Sequence, residues 1–308
     1  MLDPSEIYAV DPAVAAEVEA RTAGGSGPVL VHAVRGFVDA GGAGRLSAEH
    51  LTEQLPTERL ATFDVDQLLD YRSRRPTATF EGDHWGEYDE PELAVDLVRD
   101  TSGVPFLLLH GVEPDVQWER FAAAVRQIVE RFDVPLTVGL HGIPMGIPHT
   151  RPLSVTAHAN RPELVADYTS WFGTVQVPAS AGTLLEIRLG QSGHDAMGFA
   201  VHVPHYLAQV EYPTAALALL EAVGLRLGLE FDLEELRARQ PESITEIEQQ
   251  IAEQDGEGVL HGLEEQYDIF SRGAAESLLA DDASLPTGDE LASQLEQFLA
   301  RQRKDDQG

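Results

Sequence analysis

Residues 105–140 read PFLLLHGVEPDVQWERFAAAVRQIVERFDVPLTVGL, and this stretch decides the fold. Pro105 to His110 is a short apolar run with no polar alternation, which predicts a strand buried on both faces. Pro135 to Leu140 has the same texture. Between them, Trp118, Phe121, Val125, Ile128 and Phe132 fall on one stripe at the helical period, so Gln117 to Phe132 predicts a helix with one face on a core. Strand, helix, strand is the repeating unit of an α/β sheet.

The same alternation extends in both directions. Upstream, Val29 to Val34 reads as a buried strand, Ala43 to Leu55 as a helix stopped by Pro56, and Arg59 to Val65 as a second strand. Residues 71–90, rich in Arg, Gly, Asp and aromatics, read as loop or edge structure. Downstream, Ser154 to Ala159 and Phe199 to Val203 read as strands, and Pro162 to Trp171, Thr183 to Leu189 and Tyr212 to Leu227 as helices. The expectation is an α/β sheet covered on both faces. The texture changes near residue 229: residues 229–268 hold 13 acids against Arg237 and Arg239. Leu233, Leu236, Ile244, Ile247 and Ile251 give this stretch a thin apolar face. Residues 281–289 form a polar break before a last helix, Glu290 to Arg301. The organisation expected is an α/β core over 1–228 and an acidic helical extension over 229–308. No internal repeat is present.

Charge removes several function classes. The chain of 308 residues carries 52 Asp and Glu against 21 Lys and Arg, a net charge of −31. Such a surface repels nucleic acid and anionic membrane alike. Lys304 is the only lysine; the other cations are arginines. Lysine chemistry and lysine-gripped phosphates are therefore disfavoured, and with them a nucleotide ligase. The absence of cysteine excludes disulfides, thiolate nucleophiles and Cys-ligated zinc. With no basic, apolar leader and no run of about 20 apolar residues, the expected location is the cytoplasm.

Four loops follow strands, where ligands of open α/β sheets sit. Gly36 to Gly44 (GFVDAGGAG) reads either as an anion cradle with Asp39 as polar anchor and Gly36, Gly41 and Gly42 giving backbone access, or as a strand-to-helix turn with Asp39 as cap. Its spacing matches neither the P-loop nor the dinucleotide fingerprint. In His110 to Asp115, Glu113 and Asp115 are either bases or ligands, or caps for the helix near Gln117. His141 to Pro152 is a rigid Gly/Pro-rich loop in which His149 suits acid–base work and Arg151 suits gripping a carboxylate. His194, Asp195, His202 and His205 form no metal-binding spacing, since Pro204 interrupts the last pair. Gly-x-Ser-x-Gly and His-Glu-x-x-His are absent. Trp85, Trp118 and Trp171 are expected to fill the core or an interface. No motif implies a cofactor or metal.

Six segments together resemble the proteasome assembly chaperone family, second type, in its actinobacterial branch: GFVDAGGAG (36–44), LLDYRSRRP (68–76), LLLHGVEPDVQWERF (107–121), GIPMGIPHTRP (142–152), GHDAMGFAVHVPHYL (193–207) and YPTAALALLEAV (212–223). The resemblance spans roughly residues 5–230. It implies a three-layer α/β/α fold with a mixed central sheet, akin to phosphorylase- and hydrolase-type folds, plus a C-terminal helical extension. It also implies protein partners, proteasome subunits among them, and a homo-oligomer. Some family chaperones dock through a C-terminal hydrophobic-Tyr-any tripeptide. This sequence ends Asp306-Gln307-Gly308, so proteasome contact is expected at another surface. The reading is a non-enzymatic assembly or scaffolding protein whose acidic extension faces a basic partner. The alternative is a small-molecule binder or enzyme whose pocket is formed by the 36–44 and 141–151 loops, with Asp39, His149 and Arg151 as its polar groups. A further possibility is an oligomer joined through the 212–227 helix.

Overall fold

The computed structural model describes residues 2–25, 27–36, 38–168, 173–254 and 256–279, with side chains described up to residue 272. Trp171, the expected helix Glu290 to Arg301 and Lys304 lie outside the described residues. In chain order the strands and helices are β1 (Tyr8–Val10), α1 (Pro12–Thr22), β2 (Leu30–Arg35), α2 (Ala43–Gln54), β3 (Thr57–Phe63), β4 (Ala78–Glu81), β5 (His84–Tyr88), β6 (Leu93–Arg99), β7 (Pro105–Val112), α3 (Trp118–Arg131), β8 (Thr137–Met145), β9 (Val155–Ala159), α4 (Ala181–Gln191), β10 (Ala196–Pro204), α5 (Pro213–Leu227), α6 (Glu234–Glu253) and α7 (Glu257–Leu279).

Eight strands form one mixed sheet in the order β1-β3-β6-β7-β2-β8-β10-β9. The central strands β7, β2, β8 and β10 run parallel, and β1, β3, β6 and β9 are antiparallel to their neighbours. Pleating sends successive side chains to opposite faces, so the unbroken apolar run of β7 supplies two cores. Phe106 and Leu108 join Val31, Val138, Phe199 and Val201 beneath α2 and α5. Leu107 and Leu109 join Leu30, Leu60 and Val95 beneath α1, α3 and α4. The α3 stripe behaves as its period implies, with Phe121, Val125, Ile128 and Phe132 at most 1% exposed. The three-layer α/β/α arrangement with C-terminal helices is thus observed. On α6, Leu236 and Ile247 are buried in the core shared with α2 and α5, while Ile251 packs at its edge. The apolar face of α5 is also spent inside the chain, with Ala215, Ala216, Leu219, Leu220 and Val223 fully buried.

Some elements depart from expectation. Pro162 to Trp171 is not a helix over its described part: helical geometry is confined to one turn, Pro162–Val165. Only Val165 and Tyr168 offer apolar contact to the core there, too little for a packed stripe. Strand β6 (LAVDLVR) escapes an apolar-run reading because Asp96 interrupts it. The carboxylate is 3% exposed and is matched by neighbours across the sheet, accepting hydrogen bonds from Arg59 Nε at 2.5 Å and His110 Nε2 at 2.8 Å. Residues 78–88 form a separate two-stranded hairpin. Trp85 on it is 70% exposed and so fills no part of the core, while Phe80 and Tyr88 are 57% and 53% exposed. Trp118 is half-buried against the α3 core and donates to Pro114 O at 2.6 Å.

Candidate functional site

Asp39 lies where β2 hands over to α2. The chain turns through Gly41 and Gly42, whose φ values of 69° and 60° put both in the left-handed region that glycine adopts without a Cβ penalty. This turn places the Asp39 carboxylate at the first amides of α2. Oδ1 accepts from Gly44 N at 2.7 Å and Oδ2 from Arg45 N at 3.0 Å. Oδ1 also accepts from Gly142 N at 3.2 Å, within the neighbouring strand β8. Burial raises the Asp39 pKa, and the three amides and Arg45 hold it down only in part. Asp39 therefore caps α2 and ties together the two loops expected to form a pocket. A helix N-terminus attracts anions, and here the chain's own carboxylate occupies that place.

His149 and Arg151 turn elsewhere. The His149 amide donates to the Tyr206 hydroxyl at 2.8 Å, and its Nδ1 lies 2.8 Å from the same oxygen. Burial lowers its pKa. Arg151 forms a two-pronged pair with Asp268 on α7, Nε to Oδ1 at 2.8 Å and Nη2 to Oδ2 at 2.9 Å. Tyr267 adds a hydrogen bond to Pro152 O at 2.9 Å. Arg151 thus grips a carboxylate of the same chain and fastens α7 over the 150–152 segment. Glu113 is a cap, but for α4 instead of α3, accepting from Ala181 N at 2.7 Å. Asp115 accepts from Asp70 N at 2.9 Å and pairs with Arg74. The remaining histidines have separate partners: His202 Nε2 lies 2.7 Å from Thr156 Oγ1, His194 Nε2 lies 3.5 Å from Glu130, and His205 rests against Tyr206.

The two loops also meet at a cavity of about 110 Å³ beneath α4. Its lining includes Gly36 and Val38 from the first loop and His141 from the second, with His32, His158 and Glu186 added. Of the expected site residues, Gly36 lines it; Asp39, Gly41, Gly42, His149 and Arg151 do not. One row of the sheet runs beneath it, of which His32, Gly139 and His158 line the cavity while Gly198 lies under the His158 ring. His32 on β2 is in register with Gly139 on β8, Gly139 with Gly198 on β10, and Gly198 with His158 on β9. Both glycines are there for space. A Cβ at Gly139 would sit 2.7 Å from His32 Cε1, and one at Gly198 would sit 2.4 Å from His158 Cε1. The outer imidazoles therefore reach over the two inner strands.

Two residues along β8, the His141 ring stands 5.7 Å from that of His158. Burial pushes the His32 pKa down to about 4 despite the attraction of Glu186. Burial, then the imidazoles of His158 and His32, push His141 down to about 3. His158 Nδ1 pairs with Glu186 Oε2 at 2.9 Å. The sequence carried a signal for this cluster that motif reading missed: a histidine inside each of the otherwise apolar or small-residue runs VLVHAV and VTAHA.

Residues 33–255 match the profile of the PAC2 family. A Mycobacterium tuberculosis protein of unknown function has 46% sequence identity and a TM-score of 0.82, covering 89% of this chain and 92% of its own. A protein of unknown function from Corynebacterium glutamicum has 38% identity and a TM-score of 0.79, covering 85% of this chain and 97% of its own. A M. tuberculosis proteasome-assembly chaperone homologue has 26% identity and a TM-score of 0.67, covering 73% of this chain and 96% of its own. No curated protein matches the chain.

Proposed function

The chain belongs to the PAC2 family, and from that premise we propose that it is a non-enzymatic assembly or scaffolding protein acting through protein–protein contacts, with proteasome subunits as its partners. The observation that carries this reading is the β4–β5 hairpin. It stands outside both cores with Phe80, Trp85 and Tyr88 more than half exposed. Phe80 and Trp85 pack edge to face at 5.1 Å, so the surface is already shaped. Large aromatics gathered on an exposed element are the usual anchors of interfaces.

Around them stand Glu81, Asp83, Glu87, Asp89 and Glu90, with no Lys or Arg between residues 76 and 98. This favours an aromatic-centred, acidic contact surface that meets a basic counterpart. Helices α6 and α7 are acidic as well. Saturation of Asp39 and Arg151 by the chain's own groups further supports a non-catalytic role for the loops that hold them. Self-association through the hairpin and residence in the cytoplasm belong to the same proposal. Affinity purification of tagged chain from its native cell, with crosslinking, tests it. Recovery of proteasome subunits is expected, and their absence from the crosslinked material would contradict the reading.

A further inference from the structure

The row His32–Gly139–Gly198–His158 has a use that core packing does not explain. Elsewhere on this face the sheet meets α3 and α4 through Leu30, Leu107, Leu109, Leu185 and Leu189. Here the chain sets imidazoles over two glycines and leaves a cavity of about 110 Å³ beneath α4. A purely structural solution would fill that space with aliphatic side chains. The polar groups are also not all satisfied from within. His158 Nδ1 lies 2.9 Å from the Glu186 carboxylate, and the buried Nε2 of the same ring has no hydrogen-bond partner among the described residues.

The chemistry of the walls narrows what fits. Glu113 and Glu186 line the cavity, and no Lys or Arg does among its described lining residues. Phosphates and carboxylates are therefore disfavoured. The walls offer the carboxylate of Glu186, the unpartnered Nε2 of His158, and an acceptor nitrogen on each of His32 and His141, which are neutral at pH 7. Val34, Val38 and Ile187 supply apolar wall for a short stem. Scaled from a cavity of about 150 Å³ that holds benzene, this one takes about four or five non-hydrogen atoms.

We infer that the cavity over the His32–Gly139–Gly198–His158 row binds a small primary ammonium group on a short alkyl stem, held by Glu186 and the imidazole acceptors. The site is independent of the assembly reading, since neither the hairpin nor α7 lines it.

The test is calorimetric titration of the full chain at pH 7.5 and physiological salt with n-butylammonium, n-butanol and n-butyrate as size-matched probes. Imidazole resonances are followed in parallel by NMR. Butylammonium is expected to bind at least about 10-fold more tightly than the other two and to shift the His158 resonances. Glu186→Gln, nearly isosteric and checked for folding by circular dichroism, is expected to weaken it by about 10-fold or more. His158→Ala serves as a second variant and is expected to weaken it as well. The inference is overturned if butanol binds as well as butylammonium. It is equally overturned if Glu186→Gln leaves the affinity unchanged, the behaviour of a cation attracted only to the acidic surface, or if no binding is seen up to about 50 mM. Zinc(II) alone is titrated in parallel. Tight zinc binding abolished by His158→Ala, with no response to butylammonium, would make the cluster a metal site and sink the ammonium reading.

Discussion

Replacing Asp39 separates a structural joint from an unfilled ligand anchor. The carboxylate accepts three backbone hydrogen bonds, at 2.7, 3.0 and 3.2 Å. In Asp39→Ala the amides of Gly44, Arg45 and Gly142 lose their acceptor together, at a place where α2 starts buried against β8. Hydrogen bonds to an ionised group contribute about 1.5–3 kcal/mol each, but three that share one carboxylate do not add. Removing the side chain also relieves the cost of burying its charge, which is what raises its pKa. The net loss expected is about 2–4 kcal/mol, or roughly 3–6 °C in Tm for a chain of this size. Asp39→Asn keeps an acceptor toward Gly44 and Gly142 but turns an amide donor toward the Arg45 N–H. Its cost should be about 1 kcal/mol, with Tm lower by roughly 1–2 °C. Differential scanning calorimetry of the two variants provides the comparison. Both variants melting within about 1 °C of wild type would refute the joint, because the hydrogen bonds would then contribute nothing to folding.

Other expectations follow from the same contacts. His32, His141 and His202 have pKa values depressed to about 4, about 3 and about 4 by burial, so each stays neutral in the folded chain while it protonates near 6.5 in the unfolded one. The unfolded state then binds more protons between those values, and stability must fall with pH from about 6.5 toward 4, by up to about 4 kcal/mol per pH unit where all three contribute. Asp39, with its raised pKa, opposes this only weakly, and a Tm that is flat between pH 7 and pH 5 would count against the burial of the cluster. Arg151→Ala releases the two-pronged contact to Asp268, so amides of α7 should exchange faster while those of β7 and β8 keep their protection; unchanged α7 exchange would show that Arg151 does not fasten it. Trp85→Ala combined with Phe80→Ser should weaken self-association, read as a lower mass by light scattering at micromolar concentration, and leave Tm nearly unchanged because both side chains lie outside the cores. An unaltered mass would exclude the hairpin from self-contact.

The fold was legible where burial on both faces of a strand, or on one stripe of a helix, wrote itself into the sequence: PFLLL, VLVHAV and the Trp118–Phe132 stripe each declare an element. Strand β6 was not legible because Asp96 breaks its run, and its compensation by Arg59 and His110 exists only once three strands are adjacent. The loops meet at a cavity, but Asp39, Gly41, Gly42, His149 and Arg151 lie outside its lining. Asp39 and Arg151 have the residue types of a ligand site, yet their bonding capacity is taken by amides and by α7, which no local spacing reveals. Conversely, His32 and His158 are 126 positions apart and become one row only through the pairing of β2, β8, β10 and β9. Gly139 and Gly198 carry no chemistry of their own, and their role is apparent only from the rings lying over them.

The assembly reading rests on contact with proteasome subunits, and purified components decide it. The chain would be mixed with unassembled α- and β-type proteasome core subunits from the same organism at about 10 µM each and followed by analytical ultracentrifugation and native mass spectrometry. A complex of the chain with those subunits, weakened by Trp85→Ala with Phe80→Ser, is the result expected. The chain sedimenting alone at every ratio, with assembly proceeding at the same rate in its absence, would contradict the proposed function.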